Sequence, residues 1–346
     1  MDEVVSARLA ATGTLWQSLA TDGPVDVLAQ DLPDWLGELV AVRGKRIRTI
    51  ATHWGFVAAG GALGTAQHQV AVAAAAATEL LHQFALVHDD VMDESDVRRG
   101  AASAHRQAER WHTQQPGARG PAEVFGRNMA ILLGDLALTQ ANRVAATLPF
   151  DVAELWHDMC TELVLGQRAD LTGAAVGRGD LTHAHHTARC KSGSYTVTRP
   201  LLLGARAANA GAEAEQVLAH WGELVGEAFA LRDDLLGVWG DPTLTGKPSG
   251  DDLADGKATV VLALGRQRLR GPAAEALERL GTPTLRTDDV DLVRTGLEAA
   301  GVRDSVEELV AARTRAAAEA LATAPLTAEG VAGLTRLAEA IAWRTA

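Results

Sequence analysis

Asp89, Asp90 and Asp93 stand at the end of an apolar stretch in which Leu80, Leu81, Phe84, Leu86, Val87 and Val91 recur mostly at steps of three and four residues. That spacing predicts a helix running through residues 79–100. On it Asp89 and Asp93 share a face, His82 lies two turns before Asp89 on the same side, and Asp96 follows about one turn later. Carboxylates stacked in this way repel one another. They are also costly beside an apolar core unless something neutralises them. Hard oxygen donors with coordination room to spare suit Mg²⁺, which keeps waters and takes phosphate oxygens as its other ligands. Arg98 and Arg99 close the segment before Gly100, and guanidinium forks bind phosphate bidentately. Alone, the segment reads equally as a solvated acidic helix end followed by a basic turn. It is not alone, because Asp233 and Asp234 form a second Asp-Asp pair on a second apolar stretch. Two such pairs in an all-helical chain point to two helices facing each other across a metal–diphosphate site.

The elements that must position these residues are helical. The chain has 346 residues, 47% of them hydrophobic and 4% aromatic, which favours helix over sheet. A net charge of −12 disfavours nucleic acid or an anionic membrane as a partner. The start, MDEVVSARLA, has no apolar core of a signal peptide, and no uninterrupted apolar run reaches the length of a membrane span. Cys160 and Cys190 form no disulfide framework, so free thiols in a reducing cytosol are expected. Of the 32 basic residues only Lys45, Lys191, Lys247 and Lys257 are lysine, each beside a Gly or Ser. Residues 1–43 read as amphipathic helix broken at Gly23-Pro24. Residues 51–77, rich in Ala and Gly, read as a tightly packed core helix pair, residues 112–126 as a loop, and the His183, His185, His186 cluster as a solvated segment between helices rather than a metal site. Residues 258–346 read as Ala-rich scaffold or dimer helices without catalytic signal.

The sequence resembles the trans-isoprenyl diphosphate synthases, the polyprenyl synthetase family, from roughly Gly44 to Lys257. The family's first motif, Asp-Asp-x-x-Asp followed by Arg-Arg-Gly, matches Asp89, Asp90, Asp93, Arg98, Arg99 and Gly100. The resemblance implies that Lys45 and Arg48, with His82 and Arg99, hold the diphosphate of isopentenyl diphosphate; the usual proline after this motif is Thr49 here. It places Gln167 and Asp170 in the site lining. It gives Lys191 the allylic diphosphate, with Ser192 keeping the hydroxyl of the usual threonine, and sets Tyr195 near the leaving group. His105 and Gly134-Asp135 also match family positions, the latter in a structural role. The second motif departs twice: its usual Gln is Ala230 and its third Asp is Gly237, while Lys247 and Lys257 match the lysine loop beyond it.

These readings converge on an all-α, single-domain fold spanning residues 1–346 around a central cavity. The implied function is a cytoplasmic, homodimeric prenyltransferase that condenses isopentenyl diphosphate with an allylic diphosphate (dimethylallyl, geranyl or farnesyl). Asp89, Asp93 and Asp233 would bind up to three Mg²⁺ ions, with Asp90 and Asp234 in support, while Arg98, Lys191 and Lys247 meet the leaving diphosphate. Phe84 and Ala85 precede Asp89 by five and four residues and so lie about 6–7.5 Å deeper along the helix. In the family, an aromatic at the first of these positions only goes with the C20 product, geranylgeranyl diphosphate. The alternatives are a C15 (farnesyl) synthase, a class I terpene cyclase, for which Lys45, Arg48 and His82 would have no purpose, and a non-catalytic partner subunit, for which Ala230 and Gly237 speak.

Overall fold

A computed structural model describes residues 1–19, 31–42, 44–245 and 250–345. In chain order the helices are α1 (Asp2–Leu19), α2 (Leu32–Ala41), α3 (Ile47–Ala58), α4 (Ala66–Met92), α5 (Ala104–Gln114), α6 (Ala122–Ala145), α7 (Phe150–Ala175), α8 (Leu181–Thr187) and α9 (Arg199–Ala207). They continue with α10 (Ala212–Trp239), α11 (Pro242–Thr245), α12 (Asp251–Ala254), α13 (Val260–Arg268), α14 (Pro272–Leu277), α15 (Asp289–Ala299), α16 (Val302–Leu321) and α17 (Ala328–Ala342). A π-helical segment, Ala188–Thr198, joins α8 to α9. The only sheet among the described residues is a two-stranded hairpin, β1 (Val97–Arg98) and β2 (Ala101–Ala102), so the protein is all-α as its composition predicts. The Gly23-Pro24 break lies outside the described residues.

The chain forms two compact units. The first holds residues 1–49 and 63–153, and the second residues 50–62 and 154–346. In the first, α4 packs chiefly on α6, and α5 covers α6 as well. A buried cluster of Leu32, Trp35, Leu36, Val87, Ala104, Leu133 and their neighbours holds these helices. α4 is long and apolar enough in composition to cross a bilayer, which the sequence reading did not expect of any segment. It is nonetheless an interior helix: 61% of its apolar window is buried inside the protein.

In the second unit α10 is the central helix, packed against the π-helical segment and α16. Trp221, Leu231 and Leu235 on it are buried. The small residues expected to pack a helix pair within 51–77 bring α3 instead against α9, farther along the chain. A Cβ at Gly55 would lie 2.0 Å from the Leu201 carbonyl oxygen, and one at Gly204 would lie 1.9 Å from that of Thr52. Two shorter segments differ from expectation. The loop predicted over 112–126 is narrower, since α5 runs to Gln114 and α6 starts at Ala122. The histidine segment is a helix, started by Asp180, whose carboxylate accepts the His183 amide at 2.9 Å. Its His183 is buried rather than solvated, with its ring against Gly173.

A buried ion pair ties α15 to the turn after α14. Asp289 accepts from Arg279 Nε at 2.8 Å, from Arg279 Nη2 at 2.6 Å and from the Arg286 amide at 2.8 Å. The Arg279 hydrogen bonds, above all, hold the Asp289 carboxyl down at about 2. A carboxyl depressed below its unfolded value of about 3.9 contributes stability above that value and loses it as pH falls through the folded one. Asp289→Asn is therefore expected to be less stable than wild type at neutral pH, with the gap closing as pH falls from about 4 toward 2. Chemical denaturation at stepped pH checks this, and a gap independent of pH would assign the effect to something other than the charge.

Candidate active site

The first acidic cluster sits where α4 ends. The helix stops at Met92, and Asp93 caps it, its amide still donating to the Asp89 carbonyl at 2.8 Å. This keeps Asp89 and Asp93 on one spiral as predicted. Beyond it Glu94 adopts φ 50, so the predicted helix does not reach residue 100. Asp96 lies off the helix and pairs with Arg106 at 2.6 Å. Arg98 and Arg99 enter a hairpin instead, turned by Arg99 (φ 53) and Gly100 (φ 75). Two successive positive φ angles are the geometry of a tight hairpin turn and pair β1 with β2. Arg98 precedes that turn, and the break after the helix end, with its positive φ at Glu94, brings Arg98 back to the aspartates it follows. Its Nε donates to Asp90 Oδ1 at 2.8 Å, its Nη2 donates to the same oxygen, and Nη2 lies 3.3 Å from Asp89 Oδ2. Asp90 is 2% exposed, and this fork neutralises it. The two carboxylates outweigh burial and hold the Arg98 guanidinium above its ordinary pKa.

A basic cluster belongs to the same unit. Lys45 is exposed and Arg46 takes φ 55 just before α3 begins. Arg48 is 8% exposed, and Arg99 donates to the Val42 carbonyl at 2.9 Å while its guanidinium fills the space beside Gly44. Arg46 pairs at 3.1 Å with Glu79, a buried carboxylate on α4 that the sequence reading passed over. The signal for it was present: Glu79 is a charge inside the apolar run, three residues before His82. Burial, and then Arg48, Arg99, Arg98 and Arg46, push His82 well below the usual histidine range. The ring is therefore neutral at pH 7.

The second unit carries its own cluster. Lys191, in the π-helical segment, donates to the buried Asp170 on α7. Close approach makes this possible. A Cβ at Gly166 would lie 2.3 Å from the Lys191 nitrogen, and Gly193 and Gly226 meet backbone to backbone, each added Cβ falling within 2.9 Å of the other's carbonyl oxygen. Ser194, two residues beyond Ser192, donates to Glu162 at 2.7 Å, and Gln167 and Tyr195 are half-buried nearby in the chain. On α10, Asp233 accepts from Arg344, and Asp234 accepts from the Val260 amide at 3.0 Å. Burial pushes the Asp234 carboxyl well above the usual range, and the charges of Asp252, Asp233 and Asp170 add to the rise. Lys257 lies 3.3 Å from Asp252, and Lys247 lies outside the described residues. Among the described residues no three His, Cys, Asp or Glu side chains converge as a complete metal cage. Half-buried paired carboxylates with basic groups beside them suit a cation that takes its remaining ligands from water and phosphate oxygens, as Mg²⁺ does.

A sequence model described as polyprenyl synthetase matches residues 30–294. The chain belongs to the polyprenyl synthetase family. It is a trans-prenyltransferase of the prenyl diphosphate synthase type. It is 30% identical over 285 residues to geranylgeranyl diphosphate synthase of Mycobacterium tuberculosis, covering 80% of this chain and 75% of that one. It is 33% identical over 268 residues to (2E,6E)-farnesyl diphosphate synthase of Mycobacterium bovis, covering 75% and 68%. A crystal structure of geranylgeranyl pyrophosphate synthase from Corynebacterium glutamicum, complexed with isoprenyl diphosphate and magnesium, superposes with a TM-score of 0.88. Its sequence is 34% identical, over 99% of this chain and 98% of that one.

Three further side chains of this polyprenyl synthetase bear on its clusters. Arg344, in the segment expected to lack catalytic signal, donates to Asp233 and to the Phe229 carbonyl at 3.3 Å and lies over the Phe229 ring at 4.3 Å. No local pattern announces it. His88 packs its ring 4.6 Å from that of Phe84, and Gly134 leaves the space His88 occupies, the structural role expected of it. His105 is buried, with its ring 3.2 Å from the Ser103 hydroxyl.

The His82 ring gives a direct test of the basic cluster. Its C2 proton shift is expected to titrate at lower pH than those of exposed histidines. Arg99→Gln removes one of the cations opposing protonation and is expected to move the His82 midpoint up. A wild-type midpoint near 6.5 would show that the ring is neither desolvated nor surrounded by positive charge.

Proposed function

We propose that this prenyltransferase elongates an allylic diphosphate with isopentenyl diphosphate to geranylgeranyl diphosphate. The observation that carries the reading is the pairing of each acidic helix end with a cation of its own unit, Arg98 on Asp89 and Asp90 in one, Arg344 on Asp233 in the other. A purely structural acidic helix end has no need of a separate arginine cluster beside it, such as Arg46, Arg48 and Arg99 form around His82.

In this reading residues 1–346 act as one domain. Asp89, Asp93 and Asp233 hold up to three Mg²⁺ ions, which supply positive charge to the leaving diphosphate. Arg98, Lys191, Lys247 and Lys257 add fixed cations, and Ser192, Gln167 and Tyr195 orient that diphosphate by hydrogen bonding. Asp90 keeps Arg98 in place, and Asp234 supports the second cluster. The allylic C–O bond breaks, its electrons leave with the diphosphate, and an allylic cation remains. Lys45, Arg48, His82 and Arg99 hold the second diphosphate so that the isopentenyl double bond attacks that cation. The released diphosphate takes the proton lost as the new double bond forms. A neutral His82 suits a hydrogen-bonding role toward phosphate rather than a charge. Exposed apolar side chains support a homodimer: Val124, Ile131 and Leu132 on α6 of the first unit, and Val164 and Leu165 on α7 of the second.

Incubation of the purified protein with Mg²⁺, isopentenyl diphosphate and each allylic primer is expected to give mainly the C20 diphosphate. No elongation with any primer would sink the reading in favour of a non-catalytic subunit, and a hydrocarbon formed without isopentenyl diphosphate would make the protein a cyclase. The relatives' names run from farnesyl (C15) through geranylgeranyl (C20) and geranylfarnesyl (C25) to nonaprenyl (C45), so the length rests on Phe84 and Ala85. Phe84 packs half-buried against the first unit's core and His88. Removing its ring is expected to lengthen the products beyond C20. An unchanged distribution in Phe84→Ala would move the determinant to another side chain.

A further inference from the structure

Glu162 on α7 is a half-buried carboxylate that the proposed reaction does not use. Its Oε2 accepts from the Ser194 hydroxyl at 2.7 Å and from Arg199 Nε at 2.9 Å, and Arg189 Nη1 lies 4.0 Å from its Oε1. Arg189 and Ser194 belong to the π-helical segment, and Arg199 is the first residue of α9. The three stand five residues apart, the step of a π-helical hydrogen bond, and the Arg199 amide makes such a bond to the Ser194 carbonyl. On an α-helix, side chains five residues apart point about 140° away from each other, with no common partner. Residues joined by a five-residue bond lie close to one turn apart, so π winding stacks all three toward Glu162.

The same face of α7 places Lys191. Glu162, Gly166 and Asp170 follow one another at four-residue steps. A Cβ at Gly166 would lie 2.6 Å from the Cys190 carbonyl carbon and 2.3 Å from the Lys191 nitrogen, so the segment rests there on the α7 backbone, and Asp170 takes the Lys191 ammonium one turn farther on. The segment itself, Ser-Gly-Ser at 192–194, has weak helix propensity, so contacts from outside decide how it winds. We propose that Glu162 is a positioning residue for the allylic diphosphate site: by gathering Arg189, Ser194 and Arg199 it selects π over α winding, and that winding sets Lys191 where it meets the diphosphate. The inference rests on the function proposed above, in which Lys191 meets the leaving group. Rewinding the segment with four-residue bonds rotates every side chain ahead of Arg199 about the axis and carries Lys191 off Asp170. Glu162 thus acts through Lys191 rather than on substrate.

The test uses the full-length protein. It measures the KM of each substrate separately, and the Kd of geranyl thiodiphosphate, a slowly ionising analogue of the allylic substrate. Glu162→Gln keeps the shape and removes the charge. It is expected to raise the allylic KM and the analogue Kd about tenfold, the order of one charged hydrogen bond, and to leave the KM of isopentenyl diphosphate unchanged. Added to Lys191→Ala it is expected to cost nothing more, because both changes remove the same contact. Glu162→Asp, which keeps the charge, is expected to recover part of the loss. Equal changes in the two KM values, an unchanged allylic KM, or additive losses in the double variant would each overturn the proposal. Should Glu162→Gln fail to fold, Ser194→Ala removes only a hydroxyl and is expected to raise the allylic KM alone; no rise overturns the proposal as well. Absence of elongation by the wild type would overturn the proposed function, and this inference with it.

Discussion

Like charges crowded at helix ends are the constraint on which the rest of this molecule depends. Asp90 is buried among apolar residues of α4, and a carboxylate there is tolerated because the Arg98 fork reaches it. That fork forms because the chain leaves the helix at Asp93 and turns at Glu94, which brings Arg98 back beside Asp90. The same problem recurs with opposite sign around Arg46, Arg48 and Arg99, where the buried Glu79 offsets part of the positive charge and His82 stays neutral. Each cluster brings its own counter-charge, so each can stand in the folded protein before any substrate arrives.

In the second unit the counter-charges come from farther along the chain. Asp170 on α7 meets Lys191 through a π-helical segment whose wider turn is rare and often marks a functional site. The π turn puts Gly193 directly on Gly226, so the segment lies as near to α10 as two backbones allow. Asp233 meets Arg344, which Arg232 helps to hold through the Ala342 carbonyl at 2.7 Å. Asp234 meets a backbone amide at the start of α13. The Asp252 carboxylate lies against Gly237. The cluster is thus assembled from α7, the π-helical segment, α10, α12 and the C-terminal segment, which supply Asp170, Lys191, Asp233 with Asp234, Asp252 and Arg344.

The chemistry was legible in residue types at fixed spacing. Asp89 and Asp93 at four-residue spacing, the adjoining Arg98 and Arg99, and the four lysines in an arginine-rich chain carried the reading to the family, because covalent spacing on a helix sets which side chains share a face. The all-α class followed from composition and period in the same way. Local sequence also carried the stop signals misread at residue 93, where glycine lies too far downstream to mark the helix end and a capping aspartate does so instead.

What sequence by itself determined, then, is the set of groups able to do the chemistry and the helices that bear the aspartates. Tertiary structure alone decided the partners. Glu79 and Arg46 are 33 residues apart in number, and Asp233 and Arg344 are 111 apart, so no local period records either pair. Gly237 alone reads as a missing carboxylate, and only the fold lays Asp252 against it. The physical reason is that helical geometry acts over a turn or two, whereas charge neutralisation acts through space between whatever the packing of helices brings within a few ångströms.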